Sequence, residues 1–152
     1  MAIKLHVQFA TEFKELPSFE EFLRWTSEVL GTDSDTSVVI RLVDRAESAE
    51  LNQSYRRKSG PTNVLSFPFE VPSYVRSAHL GDLIICAPVV IEQAREQGKS
   101  VPSHWAHMVV HGLLHLKGYD HQAPGEASEM EALEIEILAR LGYPDPYHAN
   151  AG

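Results

Sequence analysis

Residues 100–121 read Ser-Val-Pro-Ser-His-Trp-Ala-His-Met-Val-Val-His-Gly-Leu-Leu-His-Leu-Lys-Gly-Tyr-Asp-His, and this stretch sets both the core and the chemistry. From Trp105 to Leu116 it is apolar on most sides: Trp105, Met108, Val109, Val110, Leu113, Leu114 and Leu116 point in nearly every direction around a helix. A helix of that composition is mostly buried. Its polar groups are mainly imidazoles, at His104, His107, His111 and His115. Buried imidazoles need partners, and a metal ion is one way to supply them.

The spacing makes the metal reading specific. Residues i and i+4 lie one turn apart on the same helix face, so His111 and His115 can reach one ion. A helix cannot bring residue i+10 back to that ion. Gly118 ends the helix, because glycine readily takes the left-handed conformation a helix terminus uses, and His121 then returns from a loop. Three neutral imidazoles leave one tetrahedral position open, which is the arrangement of catalytic zinc sites and not of structural ones. His104 and His107 share the helix but fit no ligand template, so packing or support of a ligand is the expectation for them. The pattern equals the H-E-x-x-H-x-x-G-x-x-H signature of metzincin proteases except after the first histidine, where Gly112 replaces the glutamate base. Peptide hydrolysis is thereby disfavoured.

A chain of 152 residues is long enough for one domain with a real core, and residues 1–152 are read as a single domain. Hydrophobic content of 43% and charged content of 22% are globular values. No apolar run approaches the length of a membrane span, and the first nine residues lack a signal-peptide core. The single cysteine, Cys86, lies in an apolar run and reads as a buried strand residue. These features predict a soluble cytoplasmic protein. The net charge of −8 argues against generic nucleic-acid binding by a basic surface. The imbalance is concentrated in residues 78–152, which hold four Lys and Arg against ten Asp and Glu. A polyanion must therefore meet a local basic patch.

Working outward, the patterning predicts strands over residues 3–9, 36–43, 64–69 and 80–86, with Pro68 marking an edge position. Helices are predicted from the Ser18 cap to Leu30, over 46–56 and over 87–97. Two more are predicted from Ser100 or Val101 through the histidines, and from Pro124 to Leu141. Ser18 and Glu21 have capping-box spacing. Strands come early and helices late, an α+β class with a small mixed four-stranded sheet surrounded by about five helices. The last helix carries Glu126, Glu129, Glu131, Glu134 and Glu136; these are read as a solvated acidic face, with Ala127, Met130, Leu133, Ile137 and Leu141 as the inner stripe.

A second unusual segment runs from Tyr55 to Pro68. Arg56, Arg57 and Lys58 close a helix and precede the turn Pro61-Thr62-Asn63. Two accounts of the cations are open: they complement the helix dipole, or one arginine faces the metal and forks onto a phosphate.

The two segments together resemble the YbeY family of bacterial single-strand-specific endoribonucleases and rRNA maturation factors. The family pattern H-G-x-L-H-L-x-G-Y-D-H is met at every fixed position by residues 111–121. The upstream pattern Y-R-x-K-x-x-P-T-[DN]-V-L-S-F-P is met by residues 55–68, and Leu80-Gly81-Asp82 also fits. The resemblance spans nearly the whole chain. It implies a small mixed sheet with helices around it, and one zinc ion held by His111, His115 and His121. It implies that Arg56 matters for RNA cleavage. It implies a role in maturing the 3′ end of small-subunit (16S) rRNA and in ribosome quality control, with a small-subunit ribosomal protein and a ribosome-assembly GTPase as partners. Arg56, His111, His115 and His121 are thus the expected catalytic set. Two routes to phosphodiester cleavage are compatible with it: attack by zinc-activated water, or attack by the ribose 2′-OH with the charge stabilised by zinc and Arg56. The alternative from another class is a ribosome-assembly binding protein whose zinc is structural.

Overall fold

The computed structural model describes residues 3–32, 35–72, 74, 75, 77–119 and 124–147. Nine elements follow in the order β1 (Lys4–Ala10), α1 (Phe19–Leu30), β2 (Ser37–Val43), α2 (Arg45–Arg56), β3 (Val64–Pro68), β4 (His79–Cys86), α3 (Ala87–Glu96), α4 (Val101–Leu116) and α5 (Pro124–Arg140). The expected four strands and five helices are all present, with ends shifted by a residue or so.

Local chemistry accounts for several boundaries. Ser18 caps α1 by accepting from the Glu21 backbone N–H, while the Glu21 carboxylate accepts from the Ser18 N–H, a reciprocal capping box. Ser100 does the same duty for α4, accepting from the Ser103 N–H, with Pro102 in the first turn where its missing donor is not needed. Arg57 follows α2 in the left-handed region, at φ 56°, and sends the chain round toward β3.

The four strands form one sheet in the order β1-β2-β4-β3. β1 pairs parallel with β2, and β2 parallel with β4; β3 runs antiparallel to β4. β3 is therefore an edge, as Pro68 implied. The register places Val38, Ile40 and Leu42 beside Gly81, Leu83 and Ile85 on one face, and all of these side chains are buried. α4 lies on that face, with α1, α3 and α5 packed against it. On the opposite face Arg41 reaches up to a bidentate pair with Glu47 of α2 at 2.7 and 3.0 Å. The result is a sheet with α4 below it and α2 above.

α4 is buried from His104 to Val110 and again over Gly112–Leu114 and at Leu116. Trp105 meets Phe22 of α1 edge-to-face at 6.0 Å, and Phe22 meets Trp25 in the same way at 5.5 Å. Such pairs add roughly 0.5–1.5 kcal/mol beyond the area they bury. No helix among the described residues is long and apolar enough to cross a membrane.

Candidate functional site

Two glycines let α4 approach the sheet. A Cβ on Gly112 would lie 2.8 Å from Leu83 Cδ2 and 3.3 Å from Val64 Cγ2. A Cβ on Gly81 would lie 2.5 Å from the Phe67 carbonyl oxygen and 2.8 Å from Leu116 Cδ2. Position 112 thus faces the sheet, about 100° round the helix from His111. The absence of a side chain there is a packing requirement as well as the loss of a protease base. Gly112→Glu is expected to create no peptidase and to destabilise the fold by more than about 3 kcal/mol. Overpacking alone costs about 1–3 kcal/mol, and a carboxylate driven against Leu83 adds desolvation. Denaturant unfolding measures the loss and a casein assay the absent activity.

The two histidines that bracket this position, His111 and His115, do reach the surface. Both are partly exposed, and their Nε2 atoms stand 3.1 Å apart. Two donors at 2.0–2.1 Å from a tetrahedral zinc are separated by about 3.3 Å, so this spacing suits a shared ion. The other ring nitrogen of His111 fixes its tautomer. Nδ1 lies 2.6 Å from Glu134 Oε1, and an ionised carboxylate only accepts. Nδ1 therefore carries the proton, and Nε2 turns its lone pair toward His115. A histidine ligand whose second nitrogen is held by a carboxylate is oriented and made more basic.

Glu134 is the surprise of the site. The sequence placed it on a solvated acidic face; it is fully buried, at 0% exposure. The physical reason is its helix phase. Glu134 follows Met130 by four residues and precedes Ile137 and Leu138 by three and four, and all three of those neighbours are buried. Its carboxylate is satisfied on both oxygens. Oε1 accepts from His111 and lies 3.4 Å from His107 Nε2; Oε2 accepts from the Tyr147 hydroxyl at 2.5 Å. Burial alone pushes this carboxyl up, but hydrogen bonds from His107, His111 and Tyr147 overcome it and hold it at about 2. The Tyr147 phenol is pushed up by its own burial and by donating to that carboxylate.

His107, His111 and Glu134 bring ligand-type atoms within 4.8 Å of one another, a group able to hold a metal ion. For His107 the sequence suggests packing or support of a ligand, and through Glu134 it stands one contact from His111. His104 sits a turn earlier and is buried, its Nε2 3.0 Å from Gln93 Oε1. Burial, with His107 and Lys99 nearby, lowers its pKa to about 4, so it is neutral packing near pH 7. His121 and Asp120 lie outside the described residues.

His111 and His115 line a cleft of about 790 Å³. The cleft follows the β3 edge, from the C-terminal end of α2 to that of α4. Tyr55, Arg56, Phe67, His111, His115 and Tyr119 are among its lining residues. Arg56 therefore shares a cavity with two of the three expected ligands, although 54 residues separate it from His111. Among the described residues the cleft wall contains no carboxylate, in a chain of net charge −8.

Fold and site define a single-domain α+β protein whose buried histidine helix surfaces in an arginine-bearing cleft. The family model described as Endoribonuclease YbeY matches residues 5–142, and the chain belongs to that family. An Endoribonuclease YbeY from Nitrosococcus oceani is 51% identical, over 98% of this chain and 99% of that protein. The solution structure of TM1509 from Thermotoga maritima shares the fold, with a TM-score of 0.55 and 26% identity over 93% of this chain and 98% of that one.

Proposed function

We propose that this protein is a zinc-dependent, single-strand-specific endoribonuclease that matures the 3′ end of small-subunit rRNA in the cytoplasm. The observation that carries the reading is the shared cleft: Arg56, His111 and His115 line one cavity free of carboxylates among its described residues. A phosphodiester is the substrate that such a wall favours. An arginine presents a planar fork to non-bridging oxygens, and carboxylates would repel them.

His111, His115 and His121 would hold one zinc ion. The Nε2 side of His111 is the fitting place, because it faces His115 Nε2 at 3.1 Å and both histidines line the cleft. The Nδ1 side is taken by Glu134, which is fully buried. Zinc there supplies Lewis-acid and water-activating chemistry. The chain's own residues do the rest. Glu134 holds the His111 proton on Nδ1. Arg56 binds the phosphate and stabilises the charge that develops on its oxygens. Recruitment to rRNA by a small-subunit ribosomal protein and a ribosome-assembly GTPase would overcome the repulsion between an acidic protein and RNA.

The test has two parts. Elemental analysis of the purified protein is expected to find about one zinc per chain, falling in His115→Ala. Cells whose only copy carries His115→Ala are expected to accumulate small-subunit rRNA with an unprocessed 3′ end. Normal 3′ ends in those cells would refute the rRNA assignment. In vitro cleavage unchanged in His115→Ala would instead favour a binding protein with contaminating nuclease.

A further inference from the structure

Aromatic rings line part of the cleft, and one of them is exposed where packing would hide it. Tyr55, in the last turn of α2, is 66% exposed. Its ring meets Phe67 of the β3 edge strand at 4.9 Å, with the planes at 72°. Both rings line the cleft with Tyr119. Phe69, just past the end of β3, is 51% exposed. Leaving such large rings in water forgoes the stabilisation that burial gives. The three residues after Tyr55 are Arg56, Arg57 and Lys58, all exposed. A protein of net charge −8 thus sets three consecutive exposed cations after an exposed aromatic ring that lines the cleft.

We propose that the exposed ring of Tyr55, propped edge-on by Phe67, is a base-stacking platform that holds an unpaired nucleotide beside the scissile phosphate, while Arg57 and Lys58 follow the flanking backbone. This rests on the RNA reading above and names what selects the strand form. Aromatic rings bind unpaired bases whatever their identity, because every base has a π-face. In a duplex those faces are occupied by neighbouring base pairs. The platform therefore discriminates single strands from duplexes without reading sequence. Cations beside the rings track phosphates and give salt-dependent affinity. Protein as the occupant is disfavoured by the same cations, since the cleft offers an anion site and not a continuous apolar groove.

The experiment uses the full chain carrying His115→Ala, so that binding is measured without cleavage. Affinity for a labelled mixed-sequence 12-nucleotide RNA is followed by anisotropy, with a duplex of the same sequence in parallel. Adding Tyr55→Leu, which keeps an apolar side chain but no ring, is expected to weaken single-strand binding about 5- to 150-fold, the range for loss of one stacked base. Tyr55→Phe is expected to stay within about twofold, since stacking needs the ring and not the hydroxyl. Duplex affinity is expected to change in neither. A single abasic nucleotide scanned through the RNA should weaken binding at one position, and that penalty should vanish in Tyr55→Leu. Because Tyr55 is mostly exposed, these variants keep the fold. Equal single-strand binding by Tyr55→Leu and its parent would overturn the platform while leaving the RNA reading standing. If neither the parent nor the wild-type protein binds or cleaves single-stranded RNA, the RNA reading fails and the platform with it.

Discussion

Glu134→Ala is expected to cost about 3–5 kcal/mol of folding stability, the range for removing one partner of a buried charged network. It is also expected to weaken zinc binding about 10- to 100-fold, as loss of a ligand's supporting carboxylate does elsewhere. Three hydrogen-bonding groups turn toward this one carboxylate, from His107, His111 and Tyr147. Alanine leaves them facing a cavity in a fully buried place, and His111 loses the contact that fixes its proton on Nδ1. Glu134→Gln separates the two effects. The amide keeps the volume and one accepting oxygen, so stability recovers in part. A neutral oxygen holds the imidazole less firmly, so zinc affinity stays depressed. Urea unfolding of the metal-free proteins gives the first quantity and chelator competition the second. Stability within about 1 kcal/mol of wild type together with unchanged zinc affinity would show that Glu134 has neither role.

Arg56→Ala is expected to lower kcat/KM for single-stranded RNA by about 10²- to 10³-fold, the usual loss when a group stabilising transition-state charge is removed. The fold should barely notice. Arg56 is exposed at the end of α2, where loss of a cation from the last turn costs a few tenths of a kcal/mol up to about 1 kcal/mol. Arg56→Lys keeps the charge without the planar fork and is expected to recover only part of the rate. The comparison with Tyr55→Leu is informative. Loss of stacking raises KM with kcat little changed, whereas loss of Arg56 lowers kcat. Wild-type rates from a folded Arg56→Ala protein would remove the arginine from the account.

Much of the architecture was legible because local chemistry and global placement agree. The Ser18-Glu21 capping box starts α1 where its spacing said it would. Pro68 does sit on an edge strand, where a missing N–H is harmless. The apolar circumference of residues 105–116 does become the most buried helix of the fold. The site was legible in its repeating part: a four-residue step puts His111 and His115 on one face, and Gly118, at φ 101°, ends the helix by a positive dihedral.

What was hidden depends on phase and on distance. Glu134 was grouped with its acidic neighbours by composition, although the positions of Met130, Ile137 and Leu138 put it on the buried stripe. A carboxylate on an apolar stripe is a signal that charge counting conceals. Gly112 was read against a protease pattern as a missing base, and the pressure of Leu83 and Val64 on that position is invisible until the register of β4 beneath α4 is known. The cleft that Arg56 shares with the histidines joins segments more than fifty residues apart. Spacing along the chain cannot supply that, and only the edge position of β3 brings the end of α2 to the end of α4.

One cleft, lined by Arg56, His111 and His115, is expected to cleave RNA. The most direct test is the rate at which the purified, zinc-loaded protein cuts a single-stranded RNA, set against His115→Ala prepared identically. Loss of a group that acts as part of a catalytic unit is expected to reduce that rate by at least about 10²-fold, with peptide substrates untouched by either protein. Equal cleavage by the two preparations would contradict that expectation.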